Sequence, residues 1–371
     1  MTTITMLVVH TVILIGYFGA GNFGDDLLLR ALLTRLGKIR GCFRVKVLAV
    51  DSSKLPRLDG YPFDISFMTP KEFLVRRPNF GKETVLFGSG GQFHHHKRNV
   101  RGFSLESLEP LTLIFLKVIF MKLFFRSRVF AYLVGIGPFD TQLSQFIWRQ
   151  IRHVFDGASV RDQVSQSWMS WATLGVDPSL TELSDLEFVG IAEATKESAR
   201  VSVVLRYWPR AKAPFEIVEN LLKAFDGTDS QEYSVTFYCF ERTQDQPLIE
   251  FLRLRGHQVV VWEATDNLEE FVTGIKDSKI ILSMRAHGLY LASVLGVPAA
   301  GIAIEPKIDI ACETLGFPVL SGKSEDELSR ELTILFDKLA SQPVKTRRFE
   351  KSNLQANNDL NSFLTTTRGI K

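Results

Sequence analysis

The sequence predicts an α/β protein of two domains, each built on a doubly wound, Rossmann-like parallel sheet with helices on both faces. Its 371 residues are more than one hydrophobic core usually contains, and this length suits two domains of usual size. Short β-rich runs alternate with helix-length segments throughout, and a repeated β-then-α order is typical of parallel sheets. Hydrophobic residues make up 45% of the chain and charged residues 23%, which indicates a globular protein.

The first half contains four predicted strands, which share runs of apolar and β-branched residues: Val12–Gly16, Val45–Val50, Val85–Gly88 and Val129–Gly135. A helix is predicted over Asp25–Leu36 because Leu28, Leu32 and Leu36 recur every four residues. A second helix is expected over Asp162–Leu174. These elements form the predicted N-terminal domain, residues 1–190.

The second half repeats the alternation. Its predicted strands are Val201–Leu205, Ser234–Phe240, Gln258–Trp262, Lys279–Ser283 and Ala299–Ile304, and its predicted helices are Phe215–Asp226, Gln246–Arg255, Leu268–Lys276 and Ala286–Leu295. The polar stretch Gly190–Arg200 has no strand character and is the expected linker. We therefore expect a C-terminal domain over residues 191–342, followed by one helix and a polar tail over residues 343–371.

The net charge, the cysteines and the apolar N-terminal run indicate which kinds of protein this chain resembles. The net charge is +3 and no Lys/Arg tract is present, so a nucleic-acid partner is not expected. The three cysteines are far apart, which fits reduced thiols in a cytoplasmic protein. The apolar run Met6–Ile15 lacks a basic flank and precedes glycines and two aspartates, so a first strand is expected rather than a signal peptide.

The segment Leu111–Phe125 is apolar on nearly every side and is followed by Arg126 and Arg128. Its uninterrupted apolar runs are too short to span a bilayer, which needs about 20 apolar residues. It is either a helix buried in the first domain or a helix that contacts an anionic membrane surface through residues 111–128. The second interpretation would place the protein peripherally on the inner face of the cytoplasmic membrane.

The loop after the first strand resembles a nucleotide fingerprint. Gly19, Gly21 and Gly24 satisfy the GxGxxG pattern, and Asp51 ends the next strand where a ribose-binding acid would lie. This spacing makes a nicotinamide dinucleotide one possible ligand of the loop.

Two carboxylates directly after the third glycine argue against that ligand. Asp25 and Asp26 would lie at the positive end of the following helix, where they would repel a pyrophosphate. Either they only cap the helix, or Asp25 points into a cleft and accepts a proton or hydrogen bond from a sugar hydroxyl.

Positively charged residues follow three predicted strands of the second half. Arg285 and His287 stand between a strand and a helix N-terminus, where donors and the helix dipole favour an anion. Lys307 follows the next strand and Arg206 follows the first strand of this half. The carboxyl ends of parallel strands meet at one edge of a sheet, so these four residues predict a shared anion site. His287 could also transfer a proton, or could be an ordinary histidine at a helix start.

Two loops indicate a further part of a cleft in the first domain. Gly88–Gly91 ends a strand, and its glycines, including Gly90, would let backbone N–H groups face a ligand. Ser159–Asp162 ends another strand. His94–His96 invite a metal interpretation, but adjacent histidines rarely share one ion without further ligands, so no metal is expected.

Together these motifs resemble the polysaccharide pyruvyl transferase family. The matching segments are GYFGAGNFGDD (Gly16–Asp26), FGSGGQ (Phe87–Gln92), YLVGIGP (Tyr132–Pro138), SVRD (Ser159–Asp162) and SMRAHGLYLASVLGVPAAGIAIEPK (Ser283–Lys307). The departures are Ala286 in place of a bulkier apolar residue, Ser89 in place of a glycine, and Asp26 in place of a glutamate. The Asp-Pro usual in the family is absent from Thr181–Phe188.

The resemblance implies a GT-B-like pair of domains facing across a cleft, with no cofactor besides the donor substrate. It implies transfer of a pyruvyl group from phosphoenolpyruvate to two hydroxyls of a sugar in an exopolysaccharide or a lipid-linked precursor, with release of phosphate. Arg206, Arg285, His287 and Lys307 match the donor side. The expected acceptor side consists of Gly19, Asn22, Asp25, Gly90, Gly91 and Arg161, and Asp25, Arg285 and His287 are the expected catalytic residues.

Two alternatives fit the same sequence. A nucleotide-sugar-dependent glycosyltransferase would share the architecture and much of the anion pocket. A non-catalytic partner in a polysaccharide assembly complex would keep the fold without the chemistry. Binding of phosphoenolpyruvate, a nucleotide sugar or neither distinguishes the three.

Overall fold

The computed structural model describes residues 10–40, 43–88, 90–95, 110–139, 141–183, 200–207, 214–227, 233–264, 267–321, 324–341, 349 and 351–366. The chain forms two compact units. Unit 1 comprises Met1–Ala20, Asp25–Glu182 and Phe349–Lys371, and unit 2 comprises Gly21–Gly24 and Leu183–Arg348. The expected linker Gly190–Arg200 lies almost wholly outside the described residues.

Unit 1 contains a parallel sheet of eight described strands. They are β1 (His10–Phe18), β2 (Phe43–Ala49), β3 (Ile65–Met68), β4 (Glu83–Phe87), β5 (Gly90–His95), β6 (Arg128–Phe139), β7 (Gly157–Val160) and β8 (Thr173–Leu174). The order is β3-β2-β1-β4-β6-β7-β8, and β5 also pairs with β6. Because β6 has twelve residues, its first part pairs with β4 and its last part with β5.

Helices cover both faces of this sheet. They are α1 (Phe23–Gly37), α2 (Pro70–Val75), α3 (Pro110–Phe125), α4 (Gln142–Ile151), α5 (Gln163–Trp168), α6 (Ser179–Glu182) and α13 (Leu354–Thr365). Leu29 and Leu32 of α1 share one core with Leu360 of α13. Phe115 of α3 and Trp148 of α4 belong to the core on the other side. The apolar strands between these layers are buried on both faces, as expected of a parallel sheet.

A β-bulge interrupts β6 at Leu133. The register with β7 shifts between Ala131 and Val134, and Leu133 has a positive φ of 49°. Its backbone N–H donates to Oγ of the buried Ser159 at 2.9 Å. This hydrogen bond compensates part of the cost of a left-handed conformation in a non-glycine residue.

Unit 2 contains a second parallel sheet, with six described strands in the order β11-β10-β9-β12-β13-β14. They are β9 (Arg200–Leu205), β10 (Ser234–Cys239), β11 (Val259–Val261), β12 (Ile280–Ser283), β13 (Ala299–Ile302) and β14 (Val319–Leu320). Its helices are α7 (Pro214–Gly227), α8 (Arg242–Arg253), α9 (Leu268–Lys276), α10 (Ala286–Leu295), α11 (Pro306–Leu315) and α12 (Glu325–Ser341). The strand order reverses between β9 and β12, which is where doubly wound folds bind ligands.

The predicted helix Asp162–Leu174 is wrong in its second half. The helix α5 ends at Trp168, and Thr173 and Leu174 form β8. The reason is sheet pairing, because Ser159 and Val160 of β7 align with these two residues.

Residues 354–365 form the helix expected near the C-terminus, and it packs into the core of unit 1. Among the residues that the structure describes, no helix has both the length and the apolar character needed to cross a membrane.

Candidate active site

The carboxyl ends of four neighbouring strands in unit 2 carry charged residues. Arg206 follows β9, Glu241 follows β10, Arg285 follows β12 and Glu305 follows β13. These strands surround the point where the strand order reverses. The topology therefore collects the predicted cations at the edge of the sheet where ligands bind in this fold.

Arg285 is a buried, fixed charge. Its side chain is 5% exposed, Nε donates to the Leu205 carbonyl at 2.9 Å, and Nη2 donates to Oδ2 of Asp245 at 2.7 Å. Nη1 donates to Oε2 of Glu241 at 3.3 Å. Burial alone would lower the pKa of Arg285, but the two carboxylates outweigh it and raise the pKa. The guanidinium thus holds protein carboxylates, unlike the open anion-binding fork that the sequence predicted.

Asp245 connects the ends of three strands. Besides Arg285 after β12, it accepts a hydrogen bond from the backbone N–H of Tyr207, after β9, at 2.8 Å. Cys239 at the end of β10 donates to it through Sγ at 3.4 Å. Burial, together with the charge of Asp245, raises the pKa of the Cys239 thiol. A fully buried carboxylate with these partners holds the edge of the sheet in one arrangement.

The middle of the first sequence motif is part of unit 2. Asn22 forms an isolated bridge with Glu241, and Nδ2 of Asn22 donates to Oε2 of Glu241 at 2.9 Å. The N–H of Phe23 donates to the Phe240 carbonyl at 2.8 Å. The Phe23 ring is fully buried against aromatic rings of unit 2, which belong to Phe240, Trp262 and Phe271. Residues 21–24 are therefore anchored on the same sheet edge as Arg285.

Gly24 lies directly against His287. A Cβ atom at Gly24 would collide with Nδ1 of the imidazole, so only glycine fits beside the ring in this position. His287 is the second residue of α10, and Tyr290 meets its ring edge-on with centroids 5.8 Å apart. The two motifs that the sequence singled out are thus in direct contact within unit 2 through Gly24 and His287. Asn22 is also linked to Arg285 indirectly, because both side chains donate to Oε2 of Glu241.

Arg206 is paired with a carboxylate in this structure. Its Nη1 lies 2.9 Å from Oε1 of Glu305, and the two side chains are 17% and 7% exposed. Burial lowers the pKa of Arg206, although the charge of Glu305 partly offsets this effect. Lys307 is half-buried near the N-terminus of α11, two residues after Glu305. The predicted cations therefore share their sheet edge with carboxylates.

In unit 1, Asp25 and Asp26 occupy the first turn of α1. Asp26 is buried, whereas Asp25 is half-buried and more accessible. Gly19 has a positive φ of 72°, and a Cβ there would collide with the backbone carbonyl of Asp51. The carboxylate of Asp51 accepts from the N–H and hydroxyl of Ser53, so it caps a turn, which differs from the role of a ribose-binding acid.

The glycine-rich segment after β4 is a strand where a loop was predicted. Gly88 follows β4, and its backbone N–H donates to the Ile15 carbonyl at 2.8 Å. A Cβ at Gly88 would overlap Leu32 of α1, so this glycine allows the helix to approach the sheet. Gly90 and Gly91 lie in β5, which forms because β6 extends beyond β4 and its Val134 pairs with Gly90.

Arg161 is fixed in the core of unit 1. Its side chain is 9% exposed, and Nη1 donates to Oδ2 of the buried Asp177 at 2.7 Å. A Cβ at Gly135 would lie 3.1 Å from Nε of Arg161, so the guanidinium packs on a backbone kept open by glycine. An Asp-Pro pair, Asp177-Pro178, lies a few residues before Thr181–Phe188.

Sequence reasoning missed the carboxylates of this site, Glu241, Asp245 and Glu305. Glu241 and Glu305 each follow a strand and could have been found by the rule that identified the cations. Asp245 lies one turn inside α8, where a sequence gives no sign of burial. In the described part of the chain, no cluster of three His, Cys, Asp or Glu side chains could hold a metal ion. The side chains of His94–His96 lie outside the described residues.

Solved structures with a similar fold span nearly the whole chain. The S. aureus MnaA–UDP complex has a TM-score of 0.64 at 11% identity and covers 96% of this chain and 97% of its own. The Neisseria meningitidis UDP-GlcNAc 2-epimerase bound to UDP-GlcNAc has a TM-score of 0.62 at 13% identity, covering 96% and 99%. The Methanocaldococcus jannaschii UDP-GlcNAc 2-epimerase with UDP-GlcNAc and UDP has 0.57 at 14% identity, covering 96% and 99%. These similarities establish two parallel-sheet α/β domains of the GT-B type.

No curated protein matches the chain at a significant level. The profile of the family described as polysaccharide pyruvyl transferase matches residues 22–306, from Asn22 of the first motif to the residue before Lys307. This match includes the Glu241–Arg285 network and both strand-end arginines. The chain therefore belongs to the polysaccharide pyruvyl transferase family.

Proposed function

We propose that this protein transfers the pyruvyl group of phosphoenolpyruvate to two hydroxyls of a sugar, in an exopolysaccharide or its lipid-linked precursor. The observation that carries the proposal is the set of cations at one sheet edge of unit 2, in a chain of this family. Phosphoenolpyruvate has a phosphate and a carboxylate, so its pocket needs several positive groups and the positive ends of helices. Arg206, His287 and Lys307 supply these groups at the ends of adjacent strands.

In this reaction each of the two sugar hydroxyls loses its proton. Both hydroxyl oxygens become bonded to C2 of the donor, and the C2–O bond to the phosphate breaks. One proton ends on C3, which becomes a methyl group, and the other leaves with the phosphate. The protein must therefore deliver one proton to carbon, accept protons from the sugar and stabilise the departing phosphate.

His287 is the proposed proton donor to C3 or to the leaving phosphate. An imidazole changes its charge near neutral pH, and its position at the start of α10 lets an anion share the helix N-terminus. The contact with Gly24 restricts where the ring can lie, which favours one orientation for proton transfer.

Arg206 and Lys307 are the proposed groups that bind the anionic parts of the donor. Arg285 has a different part in this proposal. With Nη1 and Nη2 on Glu241 and Asp245, it fixes the charge and geometry of the strand ends and holds the Asn22 loop through Glu241. It can contribute a remaining N–H of its guanidinium to the donor without leaving these carboxylates.

On the acceptor side, we propose Asp25 as the base that accepts the sugar proton, because it is the more accessible carboxylate of the first motif. The backbone around Gly19, Gly90 and Gly91 would line this side. Asn22 and Arg161 act through the structure in this proposal, since their polar groups hold Glu241 and Asp177.

Phosphate release from phosphoenolpyruvate in the presence of an acceptor glycan tests the proposal. We expect phosphoenolpyruvate to raise the melting temperature and His287→Ala to lower kcat by about 100-fold or more. His153→Ala, an exposed histidine of unit 1, is the matched control. Full phosphate release by His287→Ala would exclude its role.

The same thermal-shift experiment tests the alternatives. Stabilisation by UDP-GlcNAc but not by phosphoenolpyruvate would identify a nucleotide-sugar-dependent glycosyltransferase. Stabilisation by neither ligand would favour a non-catalytic partner.

A further inference from the structure

Helix α3 lies at the surface of unit 1 and is apolar on both its buried and its exposed face. Ile114, Val118 and Met121 are buried in the core of unit 1. The opposite face is equally apolar but exposed, with exposures from 40% to 69% for Leu113, Leu116, Phe120, Leu123 and Phe124. These residues recur at helical spacing and form a continuous stripe. Apolar stripes of this kind on a soluble surface mark an interaction site.

Helix α4 adds a second stripe on the same side of the sheet. Leu143, Phe146 and Ile147 are 47% to 65% exposed. The two helices lie over the same part of the core, because the ring of Phe93 packs both against Phe115 of α3 and against Trp148 of α4, with centroids 6.2 and 5.2 Å apart. We call the eight exposed side chains of α3 and α4 the apolar patch.

The charge around the patch is mainly positive, although Lys122 of α3 forms an ion pair with Asp156 at 2.9 Å. Neither α3 nor α4 contains an acidic residue, and residues 110–155 hold six Lys or Arg and one Asp, although the whole chain carries only +3. Lys117 lies over the Phe120 ring at 5.5 Å, and the exposed Arg126 lies over the Phe80 ring at 5.3 Å. Basic groups are thus kept beside exposed aromatic rings.

We propose that the apolar patch docks on the surface of an anionic lipid bilayer. Leucine and phenylalanine side chains would enter the headgroup boundary while the surrounding basic groups meet the anionic headgroups. A second copy of the chain fits less well, because a two-fold contact through this patch would bring like charges together. The proposal does not depend on the reaction of the site in unit 2.

Flotation with vesicles tests the proposal. We expect the full chain to float with vesicles of phosphatidylcholine containing about 40% phosphatidylglycerol, and at least about tenfold less with phosphatidylcholine alone or in high salt. Phe120→Glu/Leu123→Glu should reduce binding to the anionic vesicles by about tenfold or more. Leu254→Glu, at a leucine of unit 2 that is 87% exposed, should bind like the wild type. Circular dichroism confirms that each variant is folded.

Three outcomes would overturn the proposal. The first is equal binding of the wild type and the double variant to anionic vesicles, and the second is no binding of the wild type to them. The third is a dimer in sedimentation velocity that the double variant converts to a monomer, without vesicle binding by the wild type. That result would assign the patch to a contact between copies of this chain.

Discussion

The side chains around Arg206 and Arg285 show how charge is balanced at the edge of unit 2. Arg285 holds Glu241 and Asp245, and Arg206 holds Glu305. A donor with a phosphate and a carboxylate has to compete with these groups for the same N–H donors. Glu305 is the carboxylate in direct competition at Arg206, because the other two are engaged by Arg285.

Replacing Glu305 tests this competition. Glu305→Gln keeps a hydrogen-bond acceptor for Arg206 and removes the negative charge. We expect KM for phosphoenolpyruvate to fall by about 3- to 10-fold, with little change in kcat, in the phosphate-release assay. Glu313→Gln removes the same charge at an exposed position of α11 and serves as the control. An increase in KM would show instead that Glu305 is needed to orient Arg206.

Among the structural elements, the segment that leads from β1 into α1 is closely constrained. Its residues 21–24 belong to unit 2, where the Asn22 amide binds Glu241, the Phe23 ring packs on Phe240 and Gly24 contacts His287. In a nucleotide-binding domain the third glycine of this pattern serves helix–strand packing. Here it leaves room for an imidazole, so the same three glycines support a different site.

Gly24→Ala should impair the site more than the fold. The added methyl group overlaps His287, and the ring has to move. We expect kcat for phosphate release to fall by at least about tenfold, while the melting temperature changes little. Gly37→Ala, where a Cβ meets only Pro62 at 3.4 Å, is the matched control. Unchanged kcat in Gly24→Ala would mean that the ring position is unimportant.

Much of this arrangement could be read from the sequence because buried parallel strands are nearly continuous apolar runs. The predicted Val201–Leu205 differs from β9 by one residue, and Arg206 and Arg285 are indeed at strand ends. What could not be read depends on pairing between distant segments. The strands β5 and β8 exist because β6 and β7 offer unpaired edges, and a buried Asp245 looks like any surface carboxylate until its partners are known.

At the scale of the whole chain, unit 1 is completed by residues from both ends of the sequence. The helix α13 packs Phe363 against Phe130 of β6, with ring centroids 4.8 Å apart. The guanidinium carbon of Arg128 lies 3.8 Å from the centroid of the Phe363 ring. Asn353 is buried and donates to Thr181, and Asn357 accepts from the Tyr132 hydroxyl at 2.5 Å. The helix that the sequence predicted near the C-terminus is therefore a structural part of the first unit.

Phe363→Ala tests this role of α13. Loss of a buried aromatic ring should reduce the stability of unit 1 by about 3 kcal/mol and leave unit 2 unaffected. Hydrogen exchange measured by mass spectrometry should show faster exchange in β6 and unchanged exchange in β9. Leu354→Ala, at a residue of α13 that is 59% exposed, is the control. Equal acceleration in both sheets would contradict the division into units.

Because α13 belongs to unit 1 but follows unit 2 in the sequence, the two units are completed in a defined order during synthesis. A ribosome makes β1 to β8 first, then the six described strands of unit 2, and only afterwards the helix α13 that covers one side of the first sheet. Domains usually fold as their residues emerge. Unit 2 needs Gly21–Gly24 and residues up to 348 and can therefore close while unit 1 still exposes the surface awaiting Leu360 and Phe363. The first domain to be synthesised is therefore the last to be completed.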